Sequence, residues 1–347
     1  MLGTQSKNSD IQKWRAFYRN GEFSELAETA VSPCKLVEDC GTKKFLLKLH
    51  DGLETESVIL PIDGFKKRRH TLCVSSQIGC AMGCDFCQTA KMGLLRNLTT
   101  AEIVAQWHAA THALGTKIDN IVFMGMGEPL ENLDAVIPAI KILTDRNGPC
   151  IASSRICIST VGRIEGMKRL AALASEDGYK RLSLAISINA PNDEIRKQIM
   201  PLARSVSMDE LRDTIMLYPR HDCGGVLAEY VLIPGVNDAP EHAIELCQYL
   251  KPIGCNLNVI PYNPIENSPW PAPSEESIAC FVELAKSTGQ FVRRRITLGR
   301  GAMAACGQLG NSFTRRGNSM DSQHCIDKHE KPTVIKTVGS CSYIEES

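Results

Sequence analysis

The chain has 347 residues, 43% hydrophobic and 22% charged, with Lys+Arg and Asp+Glu balanced at 39 each. This composition excludes a chain disordered throughout. Zero net charge excludes a global basic field, so any polyanion site must be local. No run of 18 apolar residues offers a membrane span and the first twenty hold no apolar signal core, so a cytoplasmic protein without membrane contact is expected.

Residues 1–65 read as a short N-terminal α+β extension. FSELAETA looks helical, and KKFLLKLHDG and TESVILPIDG read as two strands joined by a turn. From Thr71 a rhythm begins. The apolar runs LCVSS, NIVFMG, RICIST, LSLAIS, VLAEYVLIPG, NLNVIPYN and QFVRRRITL alternate with amphipathic stretches. TTAEIVAQWHAATHALG opens on Thr99 or Thr100 as N-cap and ends at Gly115. LDAVIPAIKILTD, EGMKRLAALAS, SMDELRDTIMLY, APEHAIELCQYLK and SEESIACFVELAKS repeat the theme. Strand followed by helix predicts parallel βαβ units, and continuous apolar runs suit strands covered on both faces. The expected class is α/β, a partial (β/α)6 barrel over residues 66–310. Residues 311–347 read as a polar, flexible tail.

The chain carries 15 cysteines. With no export signal, metal ligation or redox chemistry is favoured over a disulfide scaffold. Cys157, Cys247, Cys255 and Cys280 lie in apolar stretches and read as small packed hydrophobes. Cys80, Cys84 and Cys87 are different. Their C-x3-C-x2-C spacing puts three thiolates on one short loop, enough for three irons of a [4Fe–4S] cube with one iron left open. Structural zinc favours paired C-x2-C knuckles and four ligands. In an α/β barrel the chemistry sits where strands end, which singles out Gly127 with Glu128, Ser159, Ser187 with Asn189, and Asn263.

The cysteine spacing, with Phe86 before the last cysteine, resembles the signature of radical S-adenosylmethionine enzymes. LCVSSQIGCAMGCDFC, GLLRNLTTAEIVAQ, MGMGEPLENL, ISINAPNDEIRKQIMPL, IPYNP and AACGQLG together resemble the RlmN/Cfr family of RNA (adenine) methyltransferases, in order from residue 56 to about residue 310. The resemblance implies a (β/α)6 radical S-adenosylmethionine barrel. It implies one [4Fe–4S] cluster on Cys80, Cys84 and Cys87, with S-adenosylmethionine on the open iron. It places the cofactor pocket at Gly127, Glu128, Ser159, Ser187, Ile188, Asn189 and Asn263. It makes Cys306 the thiol that carries the methyl group and Cys73 its partner in a transient disulfide. It puts the base at Glu56, with Glu54 as the alternative. The implied reaction methylates C2 or C8 of an adenosine in ribosomal or transfer RNA, with electrons from a flavodoxin or ferredoxin; a monomer is the default. A different radical reaction on the same chassis, on a small molecule, is the alternative, and the Cys73/Cys306 pair argues against it.

Three departures from the family stand out. Asn189 occupies a position where familiar members carry histidine. The stretch between Glu56 and Cys73 is longer, and the region before Glu56 is shorter. Lys66, Lys67, Arg68, Arg69 and His70, then Arg293, Arg294 and Arg295, then Arg315 and Arg316 are expected to form a phosphate-tracking surface around the site mouth.

Overall fold

The structure is a computed structural model. It describes residues 2–22, 32–62, 68–220, 225–296, 303–310 and 333–336. The strands are β1 (Pro33–Asp39), β2 (Thr42–Lys48), β3 (Glu54–Ile62), β4 (Arg69–Cys73), β5 (Gln77–Ile78), β6 (Arg96–Asn97), β7 (Asn120–Phe123), β8 (Ile156–Thr160), β9 (Ser183–Ser187), β10 (Val226–Leu232), β11 (Asn256–Pro261), β12 (Val292–Arg294) and β13 (Thr333–Lys336). The α-helices are α1 (Leu2–Arg15), α2 (Gln88–Met92), α3 (Thr100–His108), α4 (Leu133–Thr144), α5 (Ile164–Ser175), α6 (Asp193–Ile199), α7 (Met208–Met216), α8 (Pro240–Leu250) and α9 (Glu275–Ser287).

Eleven strands form one sheet in the order β12-β11-β10-β9-β8-β7-β4-β3-β2-β1-β13. From β4 through β7 to β12 every neighbouring pair is parallel. All seven apolar runs read from the sequence supply these strands, and helices fill the connections, as the partial barrel requires. Thr99 caps α3 with a full capping box to Glu102. The helices turn their apolar faces to the sheet; Phe281 of α9, for example, stacks on Tyr230 of β10 at 5.2 Å. Among the described residues no helix is long and apolar enough to cross a membrane.

The N-terminal strands are not a separate layer. β3 pairs antiparallel with β4, β2 with β3, and β1 with β2, so they extend the barrel sheet. The sequence reading anticipated β2 and β3 and missed β1. Cys40 and Gly41 turn the β1–β2 hairpin with φ of 46° and 80°, the left-handed pair such a two-residue turn needs. Cys40 is disulfide-bonded, whereas eleven other cysteines among the described residues are free. The tail reading also needs correcting: Thr333–Lys336 pairs parallel with β1, from Lys35↔Thr333 to Glu38↔Lys336. Val334 and Ile335 give this segment the β-branched pair that a strand favours. FSELAETA lies outside the described residues. Cys157, Cys247 and Cys255 are buried as expected, but Cys280 is exposed, on the outer face of α9.

The α1 helix continues through a π-helical turn, Ala16–Asn20, and this turn docks on α3. Phe17 stacks on His108 at 4.5 Å, and the His112 ring nitrogen Nε2 meets the Tyr18 carbonyl at 3.0 Å. Burial pushes the His108 imidazole down to about 4, and the neighbouring His112 acts in the same direction. In the unfolded chain this group titrates near ~6.5. Between those values the unfolded state binds a proton that the folded state refuses. Stability is therefore expected to fall as pH drops from about 6.5 toward 4. Urea unfolding across that window should show the slope, and His108→Phe should reduce it.

Candidate active site

The loop from β5 to α2 carries Cys80, Cys84 and Cys87, and Cys87 occupies the N-cap of α2. Two glycines shape the loop. Gly79 and Gly83 adopt φ of 74° and 71°, which side-chain-bearing residues rarely take. The Cys80 amide donates to the Gly93 carbonyl at 3.1 Å, and the Asp85 amide to the Ile199 carbonyl at 3.1 Å. Met82 and Phe86 close an apolar pocket with Ile199, Met200, Ile233 and Tyr262. Burial pushes the Cys80 thiol up to about 12 and Cys84 also well up; Cys87 reinforces both. Thiols crowded this way shed their protons only to a strong cationic group. Among the described residues no three His, Cys, Asp or Glu are placed to hold a single metal ion. Three thiolates that each bind a separate corner of a cube need no such convergence, so the donor set fits an iron–sulfur cluster.

The cysteine loop opens onto one cleft. Cys80, Cys84, Cys87, Gly127, Glu128, Ser159, Ser187, Asn189, Asn263 and Cys306 all line it. Gly127 has φ of 101°, and a Cβ there would meet Gln77 Cβ at 2.5 Å. Only glycine therefore brings this backbone to the cleft wall. Glu128 follows, buried, with its carboxylate accepting from the Leu130 amide at 3.0 Å and the Val161 amide at 2.9 Å. Burial pushes its carboxyl up to about 7 against those hydrogen bonds. A carboxylate so placed can accept from an ammonium group.

Asn189 stands at φ of 58°. Asparagine and histidine are both enriched in this left-handed region, which gives the exchange at this position a backbone reason. Its Oδ1 accepts from the Val231 amide at 2.9 Å, tying the end of β9 to β10. Ile188 differs from its neighbours. Its side chain lies fully in the core, so it can offer a ligand only main-chain atoms.

Residues 303–310 bring the distant cysteine to the cleft. The Gln88 amide donates to the Gly307 carbonyl at 2.7 Å, Thr89 Oγ1 to the Leu309 carbonyl at 2.6 Å, and Asn263 Nδ2 to the Cys306 carbonyl at 3.4 Å. Cys306 is exposed and Cys73, at the end of β4, is buried. The two sulfurs are close enough to act on one another's charge, and the Arg295 guanidinium acts on both. Burial pushes the Cys73 thiol up to about 12, and Cys306 adds to this; the Met124 main chain and Arg295 oppose it. Glu56 lies behind this segment rather than on the cleft wall. Its Oε2 accepts from the Gly310 amide at 3.0 Å and pairs with Lys44 Nζ at 2.8 Å. Glu54 sits at the partly exposed start of the same strand.

Two charged residues here were not anticipated, and a third, Arg295, was expected only as part of a phosphate-tracking run. Glu229 of β10 is buried and lines the cleft. Its Oε1 accepts from Asn258 Nδ2 at 2.9 Å and its Oε2 has no partner. Arg295 lines the cleft on the far side of Asn263 in sequence. Arg196 of α6 is fully buried beneath the cysteine loop. A signal for Glu229 was present: a charge inside an otherwise apolar parallel strand has to face something polar.

The basic runs need correcting. Strand alternation separates the 293–295 run. Arg294 pairs with Glu275 at 2.6 Å, Arg293 sits over the Phe291 ring at 5.3 Å, and Arg295 turns into the cleft. Arg68 and Arg69 precede or open β4 and are exposed. Lys66, Lys67, Arg315 and Arg316 lie outside the described residues.

Comparison with known proteins gives the family. Residues 74–247 match the family model of the Radical SAM superfamily. Over 278 residues the chain is 43% identical to the "Probable dual-specificity RNA methyltransferase RlmN 1" of Protochlamydia amoebophila, covering 80% of this chain and 75% of that protein. It is 43% identical over 286 residues to the "Dual-specificity RNA methyltransferase RlmN" of Lawsonia intracellularis, with 80% and 78% covered. The crystal structure of a radical SAM methyltransferase from Sphaerobacter thermophilus aligns with a TM-score of 0.77 at 34% identity, covering 88% of this chain and 94% of that one.

Proposed function

Because the chain belongs to the RlmN/Cfr family of radical S-adenosylmethionine enzymes, we propose that it methylates a ring carbon, C2 or C8, of an adenosine in ribosomal or transfer RNA. The observation that carries this reading is that Cys73, Cys306 and Arg295 lie near enough to act on one another's charge, with Cys306 and Arg295 on the wall of the cleft that the cysteine loop also lines. A generic radical enzyme acting on a small molecule needs neither thiol.

Cys80, Cys84 and Cys87 would hold the cluster, and Glu128 with Asn189, Ser159, Ser187 and Asn263 would hold S-adenosylmethionine. When bound, these groups supply a methyl group for a thiolate and a hydrogen-abstracting radical. The rest falls to the chain. Cys306, exposed at the cleft mouth, carries the methyl carbon as a thioether. That carbon becomes bonded to the adenine ring, and Glu56 takes the ring proton. Glu56 would first have to leave Gly310. Cys73 then gives up its proton and attacks the Cys306 sulfur, forming a disulfide; the electron pair of the broken carbon–sulfur bond leaves with the carbon, which takes a proton and is released as the methyl group. Burial keeps Cys73 protonated until then, which shields it from methylation. Arg295 is the cation that favours its thiolate when the attack comes. The electron donor would be a flavodoxin or ferredoxin.

The test is mass spectrometry of anaerobically purified protein and of Cys73→Ala. The expected result is a methyl group on Cys306 and, in the variant, a covalently attached RNA fragment whose sequence names the substrate. An unmodified Cys306 with no adduct would move the reading to a radical reaction on a small molecule.

A further inference from the structure

Arg196 is an anomaly in energetic terms. It is fully buried. Its Nε donates to the Ile188 carbonyl at 3.2 Å and its Nη2 to the Val161 carbonyl at 2.7 Å. Its Nη1 has no partner, and among the described residues it forms no ion pair. Asp193, one turn earlier on α6, spends its Oδ1 on the Met208 amide at 3.0 Å. Arginine keeps its charge even when buried. Two carbonyl oxygens do not neutralise a full charge removed from water, and a buried charge is stable only when paired.

The missing anion has an address. The cysteine loop sits directly on the end of α6: the Asp85 amide bonds the Ile199 carbonyl, a Cβ at Gly83 would touch Pro201, and Cys84 packs with Ile199 and Met200. Tyr249, Cys84 and Asp193 all lie close enough to act on the Arg196 charge, Cys84 more than Asp193. With three thiolate ligands an oxidised [4Fe–4S] cluster carries net negative charge, and an added electron deepens it.

We propose that Arg196 is the buried counter-charge of the iron–sulfur cluster and holds its reduction potential up. This rests on the reading that Cys80, Cys84 and Cys87 hold that cluster. The guanidinium favours the more negative, reduced state, because opposite charges attract more strongly as one of them grows. Arg196 is a positioning residue as well. The carbonyls it grips end β8 and precede Asn189, so the same side chain braces two walls of the cofactor pocket.

The experiment is an anaerobic redox titration of reconstituted protein, followed by the paramagnetic signal of the reduced cluster, for the wild type, Arg196→Met and Arg196→Lys. Arg196→Met keeps the volume and removes the charge. At a fixed potential its ratio of reduced to oxidised cluster should be about tenfold lower, equal to a shift of about 59 mV for one electron. Arg196→Lys should stay near the wild type. A wild-type potential in Arg196→Met overturns the proposal. Should Arg196→Met take up no iron, Arg196→Lys decides: normal loading supports the counter-charge, and failed loading in both overturns it. A wild-type chain that forms no cluster would remove the underlying reading, and the inference with it, before any variant is compared.

Discussion

Gly79→Ala is expected to lose iron binding while the barrel stays folded. A Cβ at Gly79 would sit 1.7 Å from the Gly93 carbonyl oxygen and 2.9 Å from its carbon. Both are backbone atoms, so no side-chain rotation relieves the clash. The same carbonyl accepts from the Cys80 amide at 3.1 Å. Relief therefore has to push the two segments apart where Cys80 is fixed. The φ of 74° adds strain for any side chain, and together these should cost roughly 3 kcal/mol or more, borne locally. Gly178→Ala is the control. It has φ of 91° but nothing within 4 Å of a Cβ, so it carries the backbone strain without the clash. Iron and sulfide analysis after reconstitution should show Gly79→Ala below a tenth of wild-type loading and Gly178→Ala unchanged. Equal loading in both would mean that the loop does not need this close approach.

Lys44→Met is expected to release the segment that carries Cys306. Lys44 Nζ pairs with Glu56 at 2.8 Å and donates to the Met303 carbonyl at 3.1 Å, and both side chains are buried. Glu56 in turn accepts from the Gly310 amide. The two ends of residues 303–310 are thus tied to one ion pair. Removing the cation leaves a buried carboxylate alone, an effect of roughly 3–5 kcal/mol. Denaturant unfolding should show the loss, and iodoacetamide should alkylate Cys306 several-fold faster. Lys44→Met with Glu56→Met should recover most of the stability, because replacing both charges avoids the unpaired one. It should not restore slow alkylation, since Met303 and Gly310 would still lack their partners. A single variant as stable as the wild type would mean that the pair contributes nothing.

The barrel was legible because most of its strands are continuous apolar runs and several of the following helices carry a start signal, such as Thr99, Ser207 and Ser274. The strand β1 was not, because PCKLVED alternates weakly and draws its order from pairing with β2. The helix α6 hid inside a motif read for chemistry; at seven residues it has little periodicity to show. The cleft residues at strand ends were legible by position. Ile188 was carried along with its neighbours, although strand alternation sends its side chain to the opposite face. Arg196 was opaque for a different reason. Nothing local distinguishes a buried arginine from a solvated one, and its burial is created by the cysteine loop more than a hundred residues earlier. The run Arg293–Arg295 looked like one patch because charge was counted along the chain, whereas the strand distributes it to three different surroundings.

The two sulfurs of the thiol pair differ in their freedom. Cys73 is paired on both sides, with Val58 of β3 and Val122 of β7. It is embedded in the middle of an eleven-stranded sheet and cannot shift without breaking the ladder. Cys306 stands on a short arch outside the sheet, held at its ends by Lys44 and Glu56 and between them by Gln88, Thr89 and Asn263. Any approach between these sulfurs is therefore one-sided: the sheet keeps still and the arch bends. On the proposed reading, the room left for a planar base between them is set by the side chains that hold this arch, so their grip acts as a gauge for what can enter.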